Sequence, residues 1–145
     1  MTTGRPQDPL EPTVASKDEL TRWIEQGSKP RERWRLGTEH EKFVYCRTTL
    51  KPVAYEGKAG IRAILEGLSA RTGWPLIVEN NYPIGLKGPG ASVSLEPGGQ
   101  FELSGAPLET VHQTCSEASE HLALVKDVAG PQGVSFFGMG FAPTW

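Results

Sequence analysis

Only two cysteines occur in the 145 residues, too few for a disulfide framework to carry the fold. Cys46 and Cys115 fall on segments predicted as a strand and a helix, and both are expected to be reduced core thiols. Long hydrophobic runs are missing too. Nowhere do eighteen apolar residues follow one another, and Met1 to Pro12 contains no apolar stretch of the secretory type. A membrane-spanning helix and a signal peptide are therefore not predicted, and the cytoplasm is the expected compartment. Charge of one sign is in short supply as well: 15 Lys and Arg stand against 17 Asp and Glu, with the basic residues scattered. That balance argues against a nucleic-acid footprint or a membrane-binding face.

Several catalytic signatures are absent. There is no P-loop and no dinucleotide fingerprint. His112 and His121 lie nine positions apart on one expected helix, not at the metal-binding i, i+4 spacing, and His40 alternates away from its glutamate neighbours. All three histidines are expected to be structural. No Ser-His-Asp or Cys-His arrangement supports covalent catalysis, so no catalytic residue is assigned.

What the chain does have is backbone punctuation, with 17 Gly and 12 Pro. Pro6, Pro9 and Pro12 predict a disordered leader over 1–15. Ser16-Lys17-Asp18-Glu19 reads as a capping box opening a helix over 16–26, ended by Gly27. A β-rich segment follows over 33–47, with Gly37-Thr38 allowing a bend, and a second helix is predicted over 56–72 up to Gly73. A hairpin turns at Pro89-Gly90, which suits the centre of a type II turn between 84–87 and 91–96. Pro97-Gly98-Gly99 then interrupts the strand as a turn or bulge. Pro107 opens a long helix whose expected buried stripe is Leu108, Val111, Cys115, Ala118, Leu122 and Val125, ending near Ala129. The last strand covers 134–141, bounded by Pro143. This order predicts an α+β fold: an antiparallel or mixed sheet with helices packed on one side.

Four glutamates carry the chemistry. In a strand, side chains alternate faces, so Glu39 and Glu41 project together, about 7 Å apart, with nothing in the sequence to neutralise them. Glu96 and Glu102 sit on a second β segment, where the Pro97-Gly98-Gly99 break leaves their convergence open. Rigidly placed carboxylates on a sheet suit magnesium, a hard cation that keeps an open side for nucleotide phosphates. Gly98-Gly99 and Gly138-x-Gly140 present either bulges or backbone N–H groups for an anion.

The motifs resemble those of a known family. Gly37-Thr38-Glu39-His40-Glu41-Lys42-Phe43, Gly85-Leu86-Lys87, the run from Ser94 to Thr110, His112-Gln113-Thr114-Cys115 and Phe137-Gly138-Met139-Gly140-Phe141 are similar to the glutamate-cysteine ligases of plant and proteobacterial type. The likeness runs from about residue 17 to Trp145. It implies an N-terminal piece, about a third of the enzyme by length, with 16–145 belonging to a catalytic domain of glutamine-synthetase-like fold. A chain that stops two residues after Pro143, straight out of an apolar strand, fits that expectation of truncation. The resemblance further implies that L-glutamate is joined to L-cysteine with ATP and Mg2+, that Glu39, Glu41, Glu96 and Glu102 are metal ligands, and that Gln100 and Met139 line the substrate pocket. No nucleic-acid or membrane partner is expected. Two other readings fit the same residues: a metal- or nucleotide-binding piece without turnover, and an ATP-dependent ligase for another amine.

Overall fold

The computed structural model describes residues 14–142. The expected leader, apart from Val14 and Ala15, and the Pro143 boundary lie outside them. The chain divides into two compact units, Met1–Trp34 and Arg35–Trp145. In the first, helix α1 spans Lys17–Gln26, with Ser16 as N-cap accepting from the Glu19 backbone N–H at 3.2 Å. The Glu19 carboxylate accepts from Ala15 N at 2.7 Å, one residue before the cap, so the box closes one step earlier than predicted. A single 3-10 turn follows at Arg31–Arg33, and the Trp34 indole donates to the Lys29 carbonyl at 2.8 Å. These turns remove 33–38 from the predicted strand.

The second unit contains β1 (Glu39–Cys46), α2 (Ile61–Thr72), β2 (Leu76–Glu79), β3 (Tyr82–Lys87), β4 (Ser92–Glu96), β5 (Gln100–Ser104), α3 (Val111–Ala129) and β6 (Val134–Phe137). The strands form one sheet in the order β2-β3-β4-β5-β1-β6, antiparallel at every pairing. Ile64, Leu65 and Leu68 of α2 and Val125 and Ala129 of α3 pack with Val44, Leu86, Val93, Phe101 and Leu103 from alternate strand positions. The result is the expected α+β class, with α2 and α3 on one side of the sheet. Among the described residues no helix is long and apolar enough to cross a membrane.

Local chemistry explains where these elements begin and end. The predicted second helix starts five residues late because its first N–H groups are taken from outside: Ile61 N donates to Ala54 O and Arg62 N to Tyr55 O. The Arg62 guanidinium also grips the Glu56 carboxylate and lies 5.3 Å from both the Tyr55 and Tyr82 rings, fixing the connection to the sheet. Gly73 ends α2 in the left-handed region, as predicted. Strand β2 was not expected, although Asn80-Asn81, both left-handed, makes the tight turn into β3 that an Asn pair between apolar runs signals.

Helix α3 corrects two expectations. It begins at Val111, not at Pro107, because Thr110 and Gln113 form a reciprocal capping box. Its buried side is His121, Val125 and Ala129, whereas Val111, Cys115 and Leu122 are exposed. The stripe is rotated because His121 takes a core position, stacked 6.5 Å from the Phe101 ring. Glu117 turns inward on the same face to accept from Ala106 N at 2.8 Å. Both cysteines are free, as expected, but Cys115 is a surface thiol and not a core one.

Phe101 is fully buried between Phe136, His121 and Lys42. Phe101→Ala should lower unfolding stability by about 3–5 kcal/mol through the cavity it leaves. Urea denaturation of wild type and variant measures this, with an unchanged m-value expected.

Candidate active site

Strand pairing decides which of the four glutamates meet. Alternation along β1 leaves Glu39 and Glu41 exposed on the side away from α2 and α3, while Lys42 and Val44 are buried. The β1–β5 register sets Glu41 opposite Glu102 and Glu39 opposite Ser104. The β4–β5 register sets Ser94 opposite Glu102 and Glu96 opposite Gln100. Pro97-Gly98-Gly99 is thus a hairpin turn between two strands, with Gly98 and Gly99 both left-handed. Because residues directly opposite share a face, all four glutamates project from one surface of the sheet. The convergence that the sequence left open is built by this turn.

Neutral polar side chains stand beside these carboxylates. Ser104 Oγ lies 3.0 Å from Glu102 Oε1 and 3.3 Å from Glu39 Oε2, and Ser94 Oγ donates to Glu96 at 3.0 Å. Gln100 Nε2 donates to Glu41 Oε2 at 3.2 Å and to the Met139 carbonyl at 3.4 Å. Gln100 and Met139, expected in the pocket, therefore meet beside Glu41. Strand register also places Lys87 on this face, in the row of Ser92, Ser104 and Glu39. Three strand spacings separate it from Glu39, about 14 Å. Sequence reasoning assigned Lys87 no role, although its two-residue step from Gly85 in β3 carried the signal.

Charge crowding acts on the group at the centre. Glu102 is only 7% exposed, and its pKa is pushed up to about 7, first by its hydrogen bond with Glu39 and then by burial. The other side of the sheet holds a buried cation. Lys42, 1% exposed, donates to the His40 carbonyl at 2.7 Å and lies 6.0 Å from the Phe101 ring centroid. Burial lowers its pKa to about 8, and the charge of Glu102 opposes that fall. His40 is lowered by burial and by Lys42, which favours a neutral imidazole.

Among the described residues, no three carboxylate, imidazole or thiolate groups converge closely enough as they stand to hold a metal ion. The donor set nevertheless fits a hard cation in kind: four carboxylates on one rigid face, one of them with its pKa raised by its neighbour, with serine and glutamine as their hydrogen-bond donors.

Comparison with known proteins gives this face its context. Residues 35–145 match the family model described as Glutamate-cysteine ligase family 2(GCS2). The chain belongs to that family. Rice (Oryza sativa subsp. japonica) glutamate--cysteine ligase A, chloroplastic, is 54% identical over 130 residues, 90% of this chain and 26% of the relative. Tobacco (Nicotiana tabacum) glutamate--cysteine ligase, chloroplastic, is 50% identical over 130 residues, covering 90% of this chain and 24% of the relative. The Arabidopsis thaliana one is 46% identical over 142 residues, covering 94% and 27%. The chain thus spans about a quarter of the length of these relatives. The family match bears out the resemblance read from the glutamate motifs. It also corrects the expected cytoplasmic location, because these relatives are named chloroplastic. The expectation rested on a missing apolar stretch, a test that detects secretory signals and not the amphipathic, Ser- and Arg-rich type that directs import into plastids.

Glu102 holds its proton more tightly in the folded chain than in the unfolded one, so protonation favours folding. Its contribution is complete below the ordinary value of 4.5, declines as pH rises, and is lost above about 7. In chelator-treated protein, Glu102→Gln should flatten the fall in the urea midpoint across that window. A variant whose midpoint keeps the wild-type pH slope would place the titration elsewhere.

Proposed function

We propose that this chain is part of a ligase that joins the γ-carboxyl of L-glutamate to the amino group of L-cysteine at the expense of ATP, the first step of glutathione synthesis, with residues 16–145 contributing to its catalytic domain. The observation that carries this reading is the gathering of Glu39, Glu41, Glu96 and Glu102 on one sheet face in a chain of the glutamate-cysteine ligase family.

A carboxylate is a poor acceptor for an amine because its charge is delocalised and its oxygen is a poor leaving group. The substrate's γ-carboxylate oxygen attacks the terminal phosphorus of ATP, ADP departs, and the resulting acyl phosphate is open to the neutral cysteine amine. The new C–N bond forms as phosphate leaves and the amine gives up a proton. Magnesium, when bound, neutralises phosphate charge during the first transfer. Glu39, Glu41, Glu96 and Glu102 would hold it. The remaining work is positioning: β1, β4 and β5 keep the carboxylates rigid, and the Gln100 amide, bridging Glu41 and the Met139 carbonyl, offers a neutral donor to a substrate carboxylate. A chemistry of this kind needs no protein nucleophile.

In the full-length enzyme, Glu39→Ala and Glu96→Ala should each lower ATP- and magnesium-dependent γ-glutamylcysteine formation by at least about a hundredfold, with circular dichroism unchanged. Near-normal turnover in both would sink the assignment, and substituting other amines for cysteine tests the acceptor. Magnesium binding near pH 6.5 should also expel the Glu102 proton, read calorimetrically as a binding enthalpy that changes with the ionisation heat of the buffer. Glu102→Gln should remove that dependence.

A further inference from the structure

On the side of the sheet opposite the carboxylate face, a cavity of about 320 Å3 opens between α2, α3 and the β3–β4 hairpin. Its walls are mostly apolar, with Leu68, Leu86, Val93 and Leu124 among them, and its one large aromatic surface is Trp74. The Trp74 ring packs closely on the hairpin because position 88 is glycine: a Cβ there would overlap the indole. The volume suits a single ring with a short chain, at the small end of ligand sites.

Among the described residues, two polar atoms in this wall lack partners. His121, 8% exposed, lines the cavity with Nε2 buried and without a hydrogen bond. Glu117 spends Oε1 on Ala106 N, and its Oε2 is buried against Gly105 with no partner. The two residues are one helical turn apart on α3, so their side chains lie side by side. Such orphan groups cost more than ordinary surface polarity and call for a complement. Glu120, also in the lining, adds a second acidic group, and the wall contains no Lys or Arg. The nearby Lys42 is directed elsewhere, onto the His40 carbonyl.

This composition selects among ligands. An anion is repelled by Glu117 and Glu120. A hydroxyl brings Glu117 Oε2 one proton and no charge, beside a neutral His121. Burial and the neighbouring Lys42 and His40 keep that imidazole neutral, with a pKa near 3. An ammonium has three protons, is attracted by the carboxylates, and is favoured beside an indole face. From this geometry we infer that the α2–α3 cavity is a binding site for a compact organic cation, an aryl- or alkylamine whose apolar body fills the cavity and whose ammonium meets Glu117 and His121. The site is separate from the proposed ligase chemistry, so its test reads binding alone.

Phenethylamine and its neutral isostere 2-phenylethanol serve as probes, titrated into the full-length protein at pH 7.5 by calorimetry, with chemical-shift mapping on α3. The amine should bind saturably, about tenfold or more tighter than the alcohol. Glu117→Gln keeps the oxygen that receives Ala106 N and should reduce amine affinity to that of the alcohol. Leu124→Trp, which fills the cavity while leaving Glu117 and His121 in place, should abolish binding of both. Equal affinity for amine and alcohol would show an apolar hollow only and overturn the proposal. So would no saturable binding, or amine binding that survives Leu124→Trp. The comparison of the two probes on unmodified protein decides the matter even where a variant fails to fold.

Discussion

The pairing of β1 with β5 holds the rest of the molecule in place. It sets Glu41 opposite Glu102 on one face and Lys42 opposite Phe101 on the other, so a single register brings the carboxylates together and closes the core. A slip of one residue would exchange the two faces, putting glutamates under the helices and Phe101 in water. The burial of Phe101, Leu103 and Val44 therefore stabilises an arrangement of like charges that no local interaction would favour. Repulsion on the open side is tolerated because the register is set from beneath.

The charge balance across the sheet follows from the same pairing. Lys42 is buried and donates to the carbonyl of His40, an expensive position for an ammonium group. Its attraction to Glu102 is what resists its loss of charge. Glu102 in turn keeps its proton near neutral pH because Glu39 stands beside it. One side of the strand pair thus lacks positive charge and the other holds more than its surroundings can solvate. In the proposed function, a cation on the open face would release the Glu102 proton, and the ion's own charge would outweigh that of the carboxylate it frees.

Much of this was legible in the sequence wherever the deciding interaction is local. Alternation alone put Glu39 and Glu41 on one side, Ser16 marked the start of α1, and Gly73 and Pro89-Gly90 ended a helix and turned a hairpin. The class of fold followed from the order of such signals. Non-local choices were less visible. Glu96 and Glu102 converge only because two strands pair across Pro97-Gly98-Gly99, and neither residue reports its partner. The buried stripe of α3 was misread because His121 and Glu117, polar by type, take inward positions for reasons that lie on β5 and the loop after it. Two shortfalls were local: the Asn80-Asn81 turn and the Thr110-Gln113 capping box were both present to be read. Residues 33–38 lost their strand because the chain makes a 3-10 turn and Leu36 pairs only as a single bridge with Leu108.

The Gly98-Gly99 tip carries a consequence for how the family can vary. A Cβ built at either position would meet nothing within 4 Å, yet both residues adopt φ values, 89° and 83°, that side chains with a Cβ rarely tolerate. The loop is spacious in volume and closed in torsion. Almost any codon change there would bend the hairpin before it touched a neighbour, and with it the alignment of Glu96 to Glu102. Variation at this rim is therefore limited by backbone geometry alone, which leaves a strip of bare main chain beside the carboxylates that no substitution can readily clothe.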